Sequence, residues 1–210
     1  MMKEVIAEAE AAILHTYIRY QIVLERGEGV YLYDLEGKKY LDFASGIGVF
    51  ALGYHYRDYD DALKGQIDKL LHTSNYYYTE PMARLAATLC ERTGMSKVFF
   101  SNSGAEANEC AIKAARKYSS DRYGSGRSTI ITLQDSFHGR TVTTLSATGQ
   151  DSLHTHFGPF TQGFVHVPAG DREALVKAAD DSCCAVMLEL IQGEGGVHVL
   201  DAEYVEFVRR

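Results

Sequence analysis

Three segments of this 210-residue chain combine residue types that can do chemistry. The first is Ser101-Asn-Ser-Gly-Ala-Glu-Ala-Asn-Glu109, set between an apolar run and a helical pattern. Lys97-Val98-Phe99-Phe100 reads as a short buried strand. Ala107, Cys110, Ala111, Ala114, Ala115 and Tyr118 recur at three- and four-residue steps, as one helix face does. A small-residue turn that opens a helix points free N–H groups, and the positive end of the helix dipole, at whatever lies before it. Gly104 permits close approach of the backbone, and the Ser101 and Ser103 hydroxyls add donors. The pattern fits a phosphate cradle, or a capped helix with a tight entry turn.

The second segment, Asp135-Ser-Phe-His-Gly-Arg-Thr141, places a ring, an imidazole and a guanidinium around one glycine. Phe137 offers a flat face to a heteroaromatic ring, and Arg140 offers a fork for a carboxylate. By themselves these residues also fit a surface loop with an aromatic anchor. The third segment is Glu189-Leu-Ile-Gln-Gly-Glu-Gly-Gly196.

The elements that must position them follow from periodicity. Residues 3–15 read as an amphipathic helix, and Val30–Tyr33 with Lys39–Phe43 as a hairpin. Residues 45–53 are glycine-rich and apolar, suiting a packed crossing or binding loop. A helix is expected from Tyr59 to Leu71, with Ala62, Leu63, Ile67, Leu70 and Leu71 on its inner face. Pro81 suits the start of the next helix and Gly94 its end. Thr129–Leu133, Phe164–Val167 and Ala185–Leu190 read as strands separated by helices, and Asp171 and Asp201 as helix caps. Such alternation predicts an α/β fold with a mainly parallel sheet, whose ligands gather at the carboxyl ends of the strands. All three segments fall there.

Composition narrows the partners. A hydrophobic content of 46% and a net charge of −7 fit a globular protein and argue against nucleic acid or an anionic membrane. No apolar run is long enough to span a bilayer, and the acidic N-terminus does not read as a secretory signal. Cys90, Cys110, Cys183 and Cys184 lack metal or redox spacing and read as buried thiols of a reducing compartment, so a cytoplasmic location is expected. His154 and His156 alternate like a metal pair but lack a third ligand, so no metal site is expected. Tyr76–Tyr78 reads as an interface or loop-packing cluster.

Taken together, Asn102–Glu109, Phe137–Thr141 and Gln192–Gly196 resemble the class III pyridoxal-phosphate aminotransferases, and among them the acetylornithine group. Weaker similarity runs through Arg26–Gly29, Tyr40–Phe43 and His72–Asn75. The resemblance implies a fold-type I architecture with an incomplete sheet. Residues 1–50 would belong to the small domain, and 51–210 to the first part of the large cofactor-binding domain. It implies that Ser103, Gly104 and Ala105 hold the phosphate of pyridoxal 5'-phosphate and that Phe137 stacks on its ring. Arg140 would bind a substrate carboxylate, and Glu194 would pair with a downstream arginine and adjust the pocket. Glu109 and Glu189 are expected only in supporting roles.

The implied reaction moves an amino group between N-acetylornithine and 2-oxoglutarate, as in arginine biosynthesis, in a homodimer. A 4-aminobutyrate or ornithine aminotransferase, or a non-catalytic cofactor-binding remnant, is the alternative. None of Lys3, Lys38, Lys39, Lys64, Lys69, Lys97, Lys113, Lys117 and Lys177 lies in the context of the family's Schiff-base lysine. The pyridine-pairing aspartate is also missing. The chain is therefore expected to correspond to the N-terminal part of such an enzyme and to be inactive alone. Leu190 stands where relatives carry proline, and Phe50 where the acetylornithine group carries asparagine. The lack of a tyrosine near Gly46 favours the acetylated substrate over ornithine.

Overall fold

The computed structural model describes Met1–Arg210, and the chain divides into two compact units, Met1–Ala83 and Arg84–Arg210. This division falls beyond the 50/51 boundary read from the sequence.

The first unit begins with helix α1 (Met2–Ala12) and an antiparallel sheet of β1 (Leu24–Glu28), β2 (Tyr31–Asp34) and β3 (Lys39–Leu41), in the order β1-β2-β3. The expected hairpin is β2–β3, and buried Asp34 fixes its turn. Its Oδ1 accepts from Glu36 N and Lys38 N, each at 2.9 Å, and its Oδ2 from the Tyr40 hydroxyl at 2.7 Å. β1 escapes sequence reading because Leu-Glu-Arg-Gly-Glu lacks an apolar alternation. A short turn, α2 (Ser45–Gly48), replaces the expected irregular loop and contains left-handed Gly46 and Ile47.

Helix α3 (Arg57–Lys69) forms at about the expected place. Its expected inner face is not covered: Leu63, Ile67, Leu70 and Leu71 are all exposed. Periodicity marks a face suited to burial; whether a neighbour covers it is a tertiary matter. Helix α4 (Glu80–Thr93) carries Pro81 in its first turn, where the missing N–H costs nothing, and Gly94 follows it at φ +72°.

The second unit holds α5 (Gly104–Tyr123), β4 (Thr129–Leu133), α6 (Val142–Ala147), α7 (Asp151–His154), β5 (Phe164–Val167), α8 (Arg172–Ala178) and β6 (Cys183–Val186). A small hairpin of β7 (Ile191–Gln192) and β8 (His198–Val199) and then α9 (Ala202–Arg209) complete it. β4 is the central strand of a parallel sheet ordered β5-β4-β6, paired Leu133 to Val167 and Ile130 to Ala185. Alternation along β4 splits the core. Ile131 and Leu133 pack with Val167, Leu175 and Tyr204, toward α8 and α9. Ile130 packs with Ile112 and Ala147, toward α5 and α6. The sheet is thus an α/β layer covered on both faces, as its composition requires.

Four local readings need correction. Lys97–Phe100 forms no strand, because no other segment supplies a ladder partner. The face of α5 turned to the sheet carries Ile112 and Ser119, while Ala107, Ala111, Ala114 and Tyr118 are exposed. With small residues all round, the single isoleucine decides which side is buried. The last parallel strand is β6 at Cys183–Val186 rather than 185–190, since the chain leaves the sheet after Met187 N donates to Ile131 O. The four cysteines are free and only half-buried. No helix is long and apolar enough to cross a membrane.

Candidate active site

The carboxyl end of β4 is where the three chemical segments meet. Ser103 caps α5, its Oγ accepting from Glu106 N at 3.2 Å. The Glu106 carboxylate reaches back to Asn102, accepting from its N at 2.7 Å and its Nδ2 at 3.0 Å. These bonds satisfy the flanks of the turn. The Gly104 and Ala105 amides keep no acceptor within the chain, as the first amides of a helix must unless a ligand or water meets them. A Cβ placed on Gly104 would meet nothing within 4 Å, so the turn has open space beside this residue. Free donors, a hydroxyl and open room fit a phosphate group.

The Phe137–Arg140 loop is fastened against that turn. Gly139 sits at φ +127°, and a Cβ there would lie 2.8 Å from Ala105 Cβ and 2.6 Å from Thr144 Oγ1. Only glycine satisfies both the backbone and the space. Two side chains of α5 add to the contact: Asn108 Nδ2 donates to His138 O at 2.8 Å, and Glu109 accepts from Thr141 Oγ1 at 2.5 Å. Thr141 also caps α6, accepting from Thr144 N. The half-buried Phe137 is held from beneath, its N donating to Glu189 Oε2 at 3.0 Å. The exposed Arg140 places its guanidinium 5.8 Å from the Phe137 ring centre.

The glycine-rich hairpin closes on the same loop. A Cβ on Gly195 would lie 2.1 Å from Asp135 O. Buried Gln192 donates through Nε2 to Gln134 O at 2.8 Å. Glu194 Oε2 accepts from Gln150 Nε2 at 2.5 Å. Ser103, Gly104, Ala105, Phe137, Arg140 and Glu194 are thus carried by three segments joined around one strand end.

Burial sets the charge states beneath the loop. His138 is 3% exposed, and its Nε2 has no partner. Burial, with His166 nearby, pushes its pKa down to about 4, so it is neutral at pH 7. His166 shares a 2.7 Å hydrogen bond between its Nδ1 and Thr132 Oγ1, and burial lowers its pKa as well. Burial moves the Glu189 carboxyl above its usual range, against the opposing pull of the Phe137 and Gly193 amides.

The six residues singled out in the sequence are brought to one strand end, but sequence reasoning missed the side chains that place them. Gln150, Asn108 and Gln192 act over separations of 44, 30 and 58 residues, and no local pattern marks them. Glu189, expected in a supporting role, holds the Phe137 backbone. Lys97, Lys113, Lys117 and Lys177, the lysines of this unit, are all exposed. An open groove of about 900 Å³ runs along the outer side of α5, lined by Phe99, Lys113, Lys117 and Tyr118, and holds none of the six residues. No group of three His, Cys, Asp or Glu side chains is arranged to hold a metal.

A parallel sheet that gathers a capped helix, an aromatic loop and a glycine-rich hairpin at its carboxyl end defines an α/β domain of the fold-type I pyridoxal-phosphate class. The chain belongs to the class-III aminotransferase family, which residues 13–210 match. It is 54% identical over 198 residues to the acetylornithine aminotransferase of Haemophilus ducreyi, covering 94% of this chain and 50% of that one. It is 48% identical over 196 residues to that of Methanocaldococcus jannaschii, covering 93% and 49%. The ornithine aminotransferase structure from Toxoplasma gondii ME49 matches with a TM-score of 0.93 at 28% identity, over 100% of this chain and 50% of that one. The N-acetylornithine aminotransferase from Stenotrophomonas maltophilia K279a matches with a TM-score of 0.79 at 36% identity, over 97% and 49%. The chain spans about half the length of the curated relatives it matches.

Proposed function

We propose that this chain carries the cofactor cradle and substrate-side residues of an aminotransferase acting between N-acetylornithine and 2-oxoglutarate in a cytoplasmic homodimer. Within it, residues 1–50 are assigned to the small domain and 51–210 to the first part of the large one. The observation that carries this reading is the contact of Ala105 with Gly139, which seats the free amides of α5 against the loop bearing Phe137 and Arg140. The identity of 54% to an acetylornithine aminotransferase supports the substrate.

Pyridoxal phosphate, when bound, supplies the electron sink that lets an amino group leave one carbon skeleton and join another. The residues of this chain bind and orient. The Gly104 and Ala105 amides and the Ser103 hydroxyl donate to phosphate oxygens. Phe137 would offer its face to the cofactor ring, and Glu189 holds its backbone. Arg140 pairs with a carboxylate, and Glu194 sets the charge of the pocket beyond it.

A second reading, cofactor binding without turnover, is favoured by the lysines. Those of the Arg84–Arg210 unit are exposed, and Lys113 and Lys117 line the groove on the outer side of α5. Equilibrium dialysis of the chain against pyridoxal phosphate tests the cradle. Binding is expected, and Phe137→Ala weakens it about two- to tenfold, the worth of one aromatic stacking contact. Absence of binding, or binding indifferent to both Phe137→Ala and Ser103→Ala, overturns the cradle. Borohydride treatment followed by peptide mass mapping tests the premise that both readings share: cofactor found on one particular lysine of this chain overturns the reading that none of its lysines forms the Schiff base. Rates of amino transfer to 2-oxoglutarate by the complete enzyme test the substrate, since a preference for ornithine or 4-aminobutyrate over N-acetylornithine removes it.

A further inference from the structure

Glu194 lies in the sequence Gly193-Glu-Gly-Gly196, whose three glycines give the backbone more freedom than bulkier residues would. Gly196 is at φ +123° and Val197 at +61°, and the Glu194 side chain is exposed. Such a residue keeps one position only if something outside the hairpin holds its carboxylate.

Gln150 is built to do so. Gly149, immediately before it, passes so close to the end of β4 that a Cβ would lie 2.1 Å from Leu133 O. Its carbonyl accepts from Asp135 N at 2.9 Å, and its N lies 3.0 Å from Ser136 Oγ and 3.2 Å from Ser136 O. The backbone before Gln150 is therefore stapled to the loop that bears Phe137. From that base the half-buried Gln150 amide donates to two oxygens: Nε2 is 3.3 Å from Ser136 O and 2.5 Å from Glu194 Oε2. Ser136 is fully buried, so its carbonyl is a rigid reference.

We propose that Gln150 is a positioning residue: it fixes the carboxylate of Glu194 relative to the Phe137 loop and so sets the substrate-side geometry of the pocket. This rests on the reading of Glu194 as a substrate-side group, but the tie itself does not. A side-chain amide suits the task because it is uncharged, donates twice and titrates with neither partner. Leucine has the size without the donors, and glutamate would set two carboxylates against each other.

Backbone ¹⁵N relaxation of the 210-residue chain tests the tie in the absence of substrate. The amides of Gly193–Gly196 are expected at order parameters of about 0.85, falling below about 0.6 in Gln150→Leu while β4 is unchanged. Glu194→Leu, on the exposed hairpin, reads the same contact from the other side: the Gln150 side-chain amide proton that faces Glu194 loses its exchange protection, while the one on Ser136 O is unaffected. In the double variant the hairpin is no looser than in either single one, as a shared contact requires. An unchanged hairpin in Gln150→Leu, or unchanged Gln150 amide protons in Glu194→Leu, overturns the proposal. If the hairpin loosens but Gln150→Leu leaves the amino-donor preference of the enzyme unaltered, the tie stands and the substrate-side role of Glu194 falls.

Discussion

Acid should loosen the second unit through His138, and the size of the effect follows from its burial. The imidazole is 3% exposed and has no partner for Nε2; burial, with a smaller push from His166, holds it neutral in the folded state with a pKa of about 4 against 6.5 when free. A histidine whose folded value is depressed binds a proton more readily after unfolding. Its contribution is therefore present above the unfolded value and is lost as pH falls from about 6.5 toward 4. Integrating between those values gives a loss of about 2 kcal/mol on going from pH 7 to pH 5, and about 3 kcal/mol by pH 4. His166, lowered in the same direction, adds to it. Amide hydrogen exchange at Ile130–Leu133 measures the change on the strand that carries Thr132, the hydrogen-bond partner of His166. Protection should fall about 20-fold between pH 7 and pH 5 after correction for intrinsic rates. In His138→Gln, which keeps a polar group of similar length, most of that pH dependence should vanish, whatever its starting stability. Equal pH dependence in the two proteins would refute the argument, because it would mean that His138 takes up its proton without opening the fold.

Two further substitutions test the packing of the site. Gly139→Ala forces a Cβ into Ala105 and Thr144 at a left-handed φ; it should cost about 1–3 kcal/mol, seen as a lower unfolding midpoint, and should weaken pyridoxal phosphate binding in the same dialysis. An unaltered midpoint would mean that the α5 turn and the loop are not pressed together. Glu189→Gln should act in the opposite sense to the histidine. A carboxyl raised by burial contributes stability in acid and loses it as pH rises through its folded value, while glutamine still accepts from Phe137 N. The variant should therefore be at least as stable as the parent at pH 7 in urea unfolding, and a marked loss there would show that the Phe137 tie requires the negative charge.

Much of the site was legible because its elements are local. A cap needs only the three or four residues that follow it, so Asp171 and Asp201 are read correctly, and each accepts from the amide three residues on. The β2–β3 hairpin and β4 follow from short patterns of the same kind. The order Asn102–Glu109, Phe137–Thr141, Gln192–Gly196 was enough to resemble a family, and the α/β alternation enough to expect a parallel sheet.

What the residues alone determined, then, is which groups are available and how each short segment turns. The tertiary structure decided what depends on a partner: that Lys97–Phe100 stays unpaired, that Ile112 rather than Ala111 or Ala114 faces the sheet, and that the apolar side of α3 stays open. It alone sets Ala105 on Gly139, Glu189 beneath Phe137 and Gln150 against Glu194. These contacts join residues 34, 52 and 44 positions apart, and a hydrogen bond between such residues exists only once the sheet has brought its strand ends together.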